Sequence, residues 1–470
     1  MRLPYLHNLF EYPVNMMKKK PQPFANGAAA PAPDPALYPA RYPARYPVRY
    51  LTLLLGGVLM QPLGAQSPRQ AEASPAPQMN AAVAVAGADM QACIAPSTFV
   101  ELGADVAGIN KDAAGQEQVA LGMYERVSPD GRYVLRSFSG RKLGDVSLLE
   151  LPAFEGRVLA AYSTPLSNEA FPVQGSWRYL VSISGQHYRF ADVLREQTQA
   201  KPLFKGGMTG FYAVASELPG SRADEIRIRS VSWPNASGNT DNQGIGALAA
   251  RTLTVDTAKH RITADSGVQY LCRHRAAEDG SMYALPMISV DGTEYAAMPQ
   301  MPVKGKSTMR IFGFGGSDGG CELRETFQHS SGKTIFGFRP RDGTGAGADV
   351  AYEYRGQIWW YSRALKQAFN LAPPPQVAGE NLLASAFPGI TRDGRVIYAS
   401  TLRYCDSNNQ NCRQKVGYTI ADPYQSRAFQ AYRQAHPEQT RHLPACIRRA
   451  DVHKERAAFA RLHGLPVPQE

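Results

Sequence analysis

Several residue patterns in this 470-residue chain have the composition of chemical sites, and each can be tested against the local structure its chemistry would need. Gly315-Gly-Ser317-Asp-Gly319 satisfies the G-x-S-x-G pattern of a hydrolase nucleophile elbow. That device requires a strand, a strained turn and then a helix, so that the serine hydroxyl stands exposed beside an oxyanion hole. Here a strand-like run, MRIFGF, is followed by a glycine-rich turn and a second strand-like run, CELRETF, which predicts an ordinary hairpin loop. Gly332-Lys333-Thr334 and Gly305-Lys306-Ser307 lack the glycine five residues ahead that a phosphate loop needs, and GTGAGAD from Gly343 has no helical pattern after it, so all three read as turns. The loop from Asn235 to Gly246, with Asp241, has the composition of a calcium loop without its closing glutamate or ligand order, and reads as a solvated insertion.

The nine histidines are dispersed. His436, His442, His453 and His463 fall near the C-terminus; His453 is on a predicted helix with Cys446 close in sequence, a pairing that suits a metal but that solvent-facing histidines on a basic tail explain as well. His187, His260, His274 and His329 belong to separate segments. Trp359-Trp360-Tyr361 should alternate across a strand, with at least one ring in an inter-sheet core, core packing being the default for such a triplet and exposure of another ring the alternative. From these tests we expect no catalytic residue, no cofactor and no metal.

The six cysteines, at 93, 272, 321, 405, 412 and 446, suggest structural disulfides, because their number is even and no CxxC spacing is present. Cys405 and Cys412 bracket DSNNQN between two strand-like runs and form the clearest pair, since facing positions of an antiparallel hairpin lie within disulfide reach. For the other four we favour Cys93 with Cys446, tying the ends of the globule together, and Cys272 with Cys321.

The elements that would position these residues are strands. VSPDGRYVLRS (Val127 to Ser137), ISVDGTEYAAM (from Ile288) and ITRDGRVIYAS (Ile390 to Ser400) each place an Asp-Gly turn before an apolar run. Glycine supplies positive φ and aspartate bonds to the backbone, so the recurrence marks one hairpin position used repeatedly. Looser versions give turn glycines at 131, 175, 210, 292, 332 and 394, spaced near 40 residues except for two longer intervals, the signature of a repeat architecture with insertions. The long interval between Gly210 and Gly292 leaves room for a seventh unit. Beyond Pro423 the pattern becomes helical: SRAFQAYRQAH and RRADVHKERAAFARLHG carry apolar residues at three- and four-residue spacing, and Gly464 ends the second run.

The repeats SPDGRYVLRS, SVDGTEYAA and TRDGRVIYAS resemble the blades of TolB-type β-propellers, which also form the propeller of prolyl oligopeptidases. The resemblance covers residues 123 to 422 unevenly, and implies an all-β fold of six blades, seven being the alternative, often exported in bacteria. It also implies ring closure by strands from both chain ends, with Ser97 to Gly122 lying beside Lys415 to Ala421. The α/β domain that precedes the TolB propeller and the α/β-hydrolase domain of prolyl oligopeptidases have no counterpart in the sequence pattern. Lyases on such propellers use channel histidines, which the resemblance would assign to the set at 187, 260, 274 and 329.

The first residues carry an address. Arg41, Arg45 and Arg49 precede the ten-residue apolar run Leu51 to Met60, and small residues follow near Gly64-Ala65, the order of a secretory signal. The expected organisation is a disordered N-terminus and signal over 1–65, a flexible linker over 66–91, the propeller over 92–423 and a helical tail over 424–470. Of the +11 net charge, the first 50 residues contribute seven Lys/Arg against two Asp/Glu. The remainder shows no run of basic residues interleaved with aromatics, so nucleic acid is not an expected partner. The sequence therefore predicts a monomeric, non-catalytic scaffold, periplasmic or secreted, binding an envelope protein or polysaccharide, with no membrane span after signal removal; a propeller-type lyase or hydrolase is the alternative. The exported protein should begin between about Gly64 and Ser67, and its intact mass checks this, an unprocessed Met1 or Met17 start contradicting it.

Overall fold

The computed structural model divides the chain into two units, Met1–Ala76 and Pro77–Glu470. The residues described here lie between 93 and 468 of the second unit, leaving out 104–108, 112–116, 120–123, 140–142, 167–169, 209–212, 221, 223, 233–244, 276–282, 300–305, 315–320, 331–335, 339–348, 355, 372–379 and 406–411. They are mostly β-structure arranged in several sheets.

β1 (Ser97–Glu101) comes first, followed by a small pair, β2 (Ile109–Lys111) and β3 (Glu117–Val119). The first four-stranded sheet contains β4 (Tyr124–Val127), β5 (Tyr133–Ser139), β6 (Leu143–Glu150) and β8 (Ala160–Ser163); β7 (Gly156–Arg157) lies in the loop between β6 and β8. A nine-stranded sheet follows. It has two antiparallel sets, β9 (Phe171–Gln174), β10 (Tyr179–Val181), β11 (Gln186–Arg189) and β12 (Phe204–Lys205), then β13 (Val214–Pro219), β14 (Glu225–Ser232), β15 (Ile245–Asp256), β16 (Arg261–Asp265) and β17 (Gln269–Arg275), joined where β9 pairs in parallel with β13. The next sheet is β18 (Tyr283–Ile288), β19 (Glu294–Pro299), β20 (Lys306–Phe314) and β21 (Cys321–Ser330), and the one after it β22 (Phe336–Phe338), β23 (Val350–Tyr354), β24 (Gln357–Ser362) and β25 (Gln367–Asn370). The last contains β26 (Glu380–Ile390), β27 (Val396–Cys405) and β28 (Cys412–Ala421), then β1 and finally β7.

The Asp-Gly turns are built alike. Ser128, Ser289 and Thr391 direct their hydroxyls to Asp130, Asp291 and Asp393 at 2.6, 2.5 and 2.5 Å, and each aspartate accepts the backbone N–H two residues on. Gly131, Gly292 and Gly394 close the turns at φ +69°, +64° and +100°, a backbone region open to glycine at little cost. Gly175, at φ +108°, lies in the β9–β10 hairpin turn directly after β9. Gly210 and Gly332 fall in 209–212 and 331–335, outside the described residues. The interval from Gly210 to Gly292 holds β13 to β17, all in one sheet, and β18, which opens the next. HYRFADVL reads from its composition as a strand completing the set that begins at Phe171, but β11 stops at Arg189 and α1 (Phe190–Glu196) follows, burying Phe190, Val193 and Leu194 at helical spacing.

Side chains alternate between cores. On β5, Tyr133 and Leu135 face a core shared with Trp177, Leu180 and Phe190, whereas Val134 faces one shared with Val100, Ile397 and Tyr418. The other cores lie between β9–β12 and β13–β16, across β13–β24, and between β22–β25 and β26–β28. Each sheet thus buries both faces, and the first sheet packs on the last.

That last contact is reinforced by β1. It pairs antiparallel with β28 along its full length, Ser97 opposite Ala421 and Glu101 opposite Gly417, and pairs in parallel with β7 on its other edge. The expected joining of early and late strands is present for Ser97–Glu101, while β2 and β3 pair with each other instead. Cys93 and Cys446 form a disulfide with Cα atoms 5.9 Å apart, as favoured from the sequence. Asp422 completes the junction, accepting Tyr424 N–H on one oxygen and both Ile447 N–H and the Gln425 amide on the other, while Gln425 also reaches Ile94 O.

The tail then crosses the end of the sheets that carries the Asp-Gly turns. The register fixes this end, since Ala421 lies opposite Val396 immediately beyond the 391–395 turn. α2 (Arg427–Ala435), capped by Ser426, inserts Phe429 against Trp360 and Phe369; after the short α3 (Pro437–Thr440), α4 (Arg449–His463) packs Val452 and Phe459 inward and stops at Gly464, φ +62°.

A Cβ at Gly417 would lie 2.1 Å from Val100 O, whereas one at Gly464 meets nothing within 4 Å. Gly417→Ala should therefore cost about 2 kcal/mol or more through overpacking of the β1–β28 joint, and Gly464→Asn, which tolerates the left-handed region, only a few tenths. Urea midpoints of the two variants check this, equal midpoints contradicting the joint.

Candidate functional site

Polar chemistry concentrates where the first sheet, the last sheet and α4 meet. Arg395, fully buried, donates to Asp393 from Nε and Nη2 (2.9 and 2.8 Å), to Ala153 O from Nη1 (3.1 Å) and to Asp130 O from Nη2 (2.7 Å). Burial by itself pushes the Asp393 carboxyl up, but the Arg395 guanidinium and the hydrogen bonds from Thr391 and Arg395 hold it below the usual range. Asp130 has the opposite balance: burial dominates and raises it, against Arg456, Ser128, the Arg132 N–H and Arg395. Arg456, from α4, is buried and donates from Nη2 to the carbonyls of Gly131, Leu151 and Pro152 at 3.2, 3.1 and 2.7 Å. Desolvation, with Arg395 nearby, lowers its pKa to about 10. Beside it Arg132 donates to Glu150 at 2.7 Å, and Tyr162 donates to the second Glu150 oxygen.

A second cluster joins the sheets that begin at β18 and β22. Glu294, nearly inaccessible, accepts from Arg363 Nη1 at 2.6 Å and Arg324 Nη1 at 2.8 Å. Arg363 Nε reaches Glu325 at 2.7 Å, and Tyr361 donates to the other Glu325 oxygen at 2.5 Å. In each cluster one guanidinium crosses to a neighbouring sheet, Arg395 to backbone carbonyls of the first sheet and Arg363 to the carboxylates of Glu294 and Glu325, a geometry that fastens sheets together, while Arg132 and Arg324 bond within their own sheets. The Gly-Arg pairs at 131–132 and 394–395 were a visible signal for the first cluster, although the sequence does not say that Arg395 turns inward while Arg132 stays nearer the surface.

The sequence candidates are placed as follows. Ser317 lies in 315–320, outside the described residues, but β20 and β21 on either side pair antiparallel, Phe314 opposite Cys321, so a strand stands where an elbow would need its helix. Gly332-Lys333-Thr334 and the calcium-like stretch fall within 331–335 and 233–244, also outside the described residues, while Lys306 and Ser307 open β20. Trp360 faces the core shared with Phe369 and Phe429, and Trp359 and Tyr361 face the opposite one, as alternation requires. Cys405 and Cys412 are directly opposite in the β27–β28 register; Cys272 lies in β17 and Cys321 opens β21, and the side chains of these four lie outside the described residues.

His187 is buried on β11, stacked on Phe204 with ring centroids 4.4 Å apart and bonded through Nδ1 to Gly185 O at 3.1 Å. His260, in the β15–β16 turn, lies 3.0 Å from the Tyr179 hydroxyl. Both rings flank Tyr179, whereas His274 and His329 are on β17 and β21 with side chains outside the described residues. Cys446 is committed to its disulfide, His453 contacts Phe154, and among the described residues no group of three or more His, Cys, Asp or Glu could hold a metal ion. His463 donates to Ser176 O at 2.8 Å from a pocket of Phe190 and Phe459.

No family model matches the chain, and no curated protein matches it. Solved structures similar to it are propeller-type proteins. They include an oligogalacturonate lyase in complex with manganese (10% identity, TM-score 0.33, covering 70% of this chain and 96% of that one). Two others are the Nup133 β-propeller domain of Vanderwaltozyma polyspora (8%, 0.31, 61% and 91%) and prolyl oligopeptidase B of Galerina marginata (8%, 0.25, 63% and 50%). They include enzymes, and none of them assigns an activity here.

Burial lowers both His187 and His463 to about 4. An unfolded histidine binds its proton near pH 6.5, so the unfolded state is favoured progressively as pH falls from 6.5 through 4, by up to about 1.4 kcal/mol per pH unit for each group. Stability should be constant above that window and decline within it. His463→Phe, with its ring still among Phe190 and Phe459, should reduce the slope; urea midpoints from pH 4 to 7 with identical slopes for both proteins would contradict this assignment.

Proposed function

We propose that the chain is an exported β-propeller of the TolB-like type that acts as a non-catalytic scaffold, holding an envelope protein or polysaccharide. Counting the nine-stranded sheet as two blades gives six, with β1 supplying the outer strand of the sixth. The reading is supported by one observation above all: every sheet packs on its neighbours in sequence and the last packs on the first, through β1 and the buried Arg395. A frame closed in this way presents its loops from fixed positions, which suits a binding surface. The titratable groups described above are engaged within and between sheets, Glu294 with Arg363 of the next sheet and Asp393 with Arg395 of its own turn being the deepest, and this use of charge favours rigidity over turnover.

The test is co-sedimentation of the exported protein with an isolated envelope fraction, before and after that fraction is treated with protease or with glycan-degrading enzymes. Saturable binding, abolished by one of the two treatments and leaving the ligand's mass unchanged, is the expected result. Release of low-mass fragments from the untreated fraction would replace the scaffold by the lyase or hydrolase alternative, and absence of binding would remove the scaffold reading.

A further inference from the structure

The tail does more than cover the Asp-Gly turns. Its inner side is accounted for by Phe429, Val452, Arg456, Phe459 and Ala460, all buried. Its outer side is unbalanced in charge. Arg427, Arg441, Arg448, Arg449, Lys454 and Arg461 are exposed, and Glu438 is the single exposed acid among the described residues of the tail. The half-buried acids are already met by cations, Asp451 by Arg448 and Glu455 by Arg392. On α4, Lys454 and Arg461 stand seven residues apart on one face, with Ala457 and Ala458 between them, so nothing bulky separates the two cations. The second observation is apolar. Five large hydrophobic residues are exposed among the described residues, and two of them belong to the end of the same tail, Leu462 next to Arg461 in sequence and Val467 beyond the helix stop.

Cations alone would suit any polyanion. Cations bordered by exposed Leu and Val match the interface of a bilayer, where headgroup phosphates meet the basic side chains and the first acyl carbons meet the apolar ones. We infer that the outer face of the C-terminal tail docks the protein on anionic phospholipid, peripherally and by electrostatic attraction. No helix among the described residues is long and apolar enough to cross a membrane, and this mode of attachment requires none. It stands apart from the scaffold proposal: a protein held on a bilayer by its tail keeps the opposite end of its sheets for another ligand, and either statement can fail alone.

The experiment uses the full chain and vesicles of phosphatidylcholine with and without phosphatidylglycerol, reading the partition coefficient by co-sedimentation. The strap variant is Arg441→Glu/Lys454→Glu/Arg461→Glu. Its control, Lys201→Glu/Lys205→Glu/Lys259→Glu, makes the same change in net charge at exposed positions of β9–β16. Any binding by the apolar run near the N-terminus is common to all three proteins and cancels in the ratio. Anionic lipid should raise the partitioning of the wild type and the control, and the strap variant should lose about tenfold or more of it, with melting temperatures unchanged. Added salt should weaken wild-type binding, and Leu462→Ser/Val467→Ser should reduce it severalfold at fixed salt. Equal losses in the strap variant and the control, or wild-type binding indifferent to phosphatidylglycerol, would overturn the inference; binding to a soluble polyanion with no preference for vesicles would do so as well.

Discussion

The structure depends on one joint, the antiparallel pairing of β1 with β28. Residues more than 300 apart in sequence meet there, at a large cost in loop-closure entropy that only simultaneous contacts can offset. Several are present. Val100 is wholly buried among Val134, Ile397 and Tyr418; Leu102 N–H reaches Val416 O; and Ile94 N–H reaches Ile447 O just beyond the disulfide. In the chain-entropy view a bridge spanning 353 residues contributes about 6 kcal/mol, above the usual range. Without the joint, the sheet of β26–β28 would end in an open edge, the arrangement that exposes unpaired backbone groups to other chains.

Buried charge serves the same end. Removing one partner of a buried ion pair costs about 3–5 kcal/mol because the other charge is stranded, so Arg395 and Asp393, both inaccessible, make the last Asp-Gly turn stiff. The remaining donors of Arg395 go to backbone carbonyls of the first sheet, which converts local stiffness into register between sheets. Arg456 does this from the tail, and Asp422 fixes where the tail leaves β28. The joint, the turns and the tail are therefore one mechanical unit, and the tail's outer surface inherits a fixed orientation from it.

Much of this was legible in the sequence, and for identifiable reasons. The Asp-Gly turns carry their own chemistry within five residues, so Gly131, Gly292 and Gly394 were placed correctly, and the tail helices announced themselves through their apolar spacing and Gly464. α1 was missed because seven residues are too few for periodicity to outweigh the surrounding strands. Of the polar clusters, only the Gly-Arg pairs at 131–132 and 394–395 were visible, and they mark the first cluster alone. Glu294 and Arg363 are 69 residues apart, and no local pattern announces that they meet.

The most direct measurement is native-state hydrogen exchange of the amides of Thr98 to Glu101. The account predicts that they exchange only through global unfolding, at the rate of the interior of β28, since β1 lies between β28 and β7 and is clamped ahead of Ser97. Fast exchange of these amides, with β28 still protected, would show that the first and last strands do not hold the sheets together and would contradict the account.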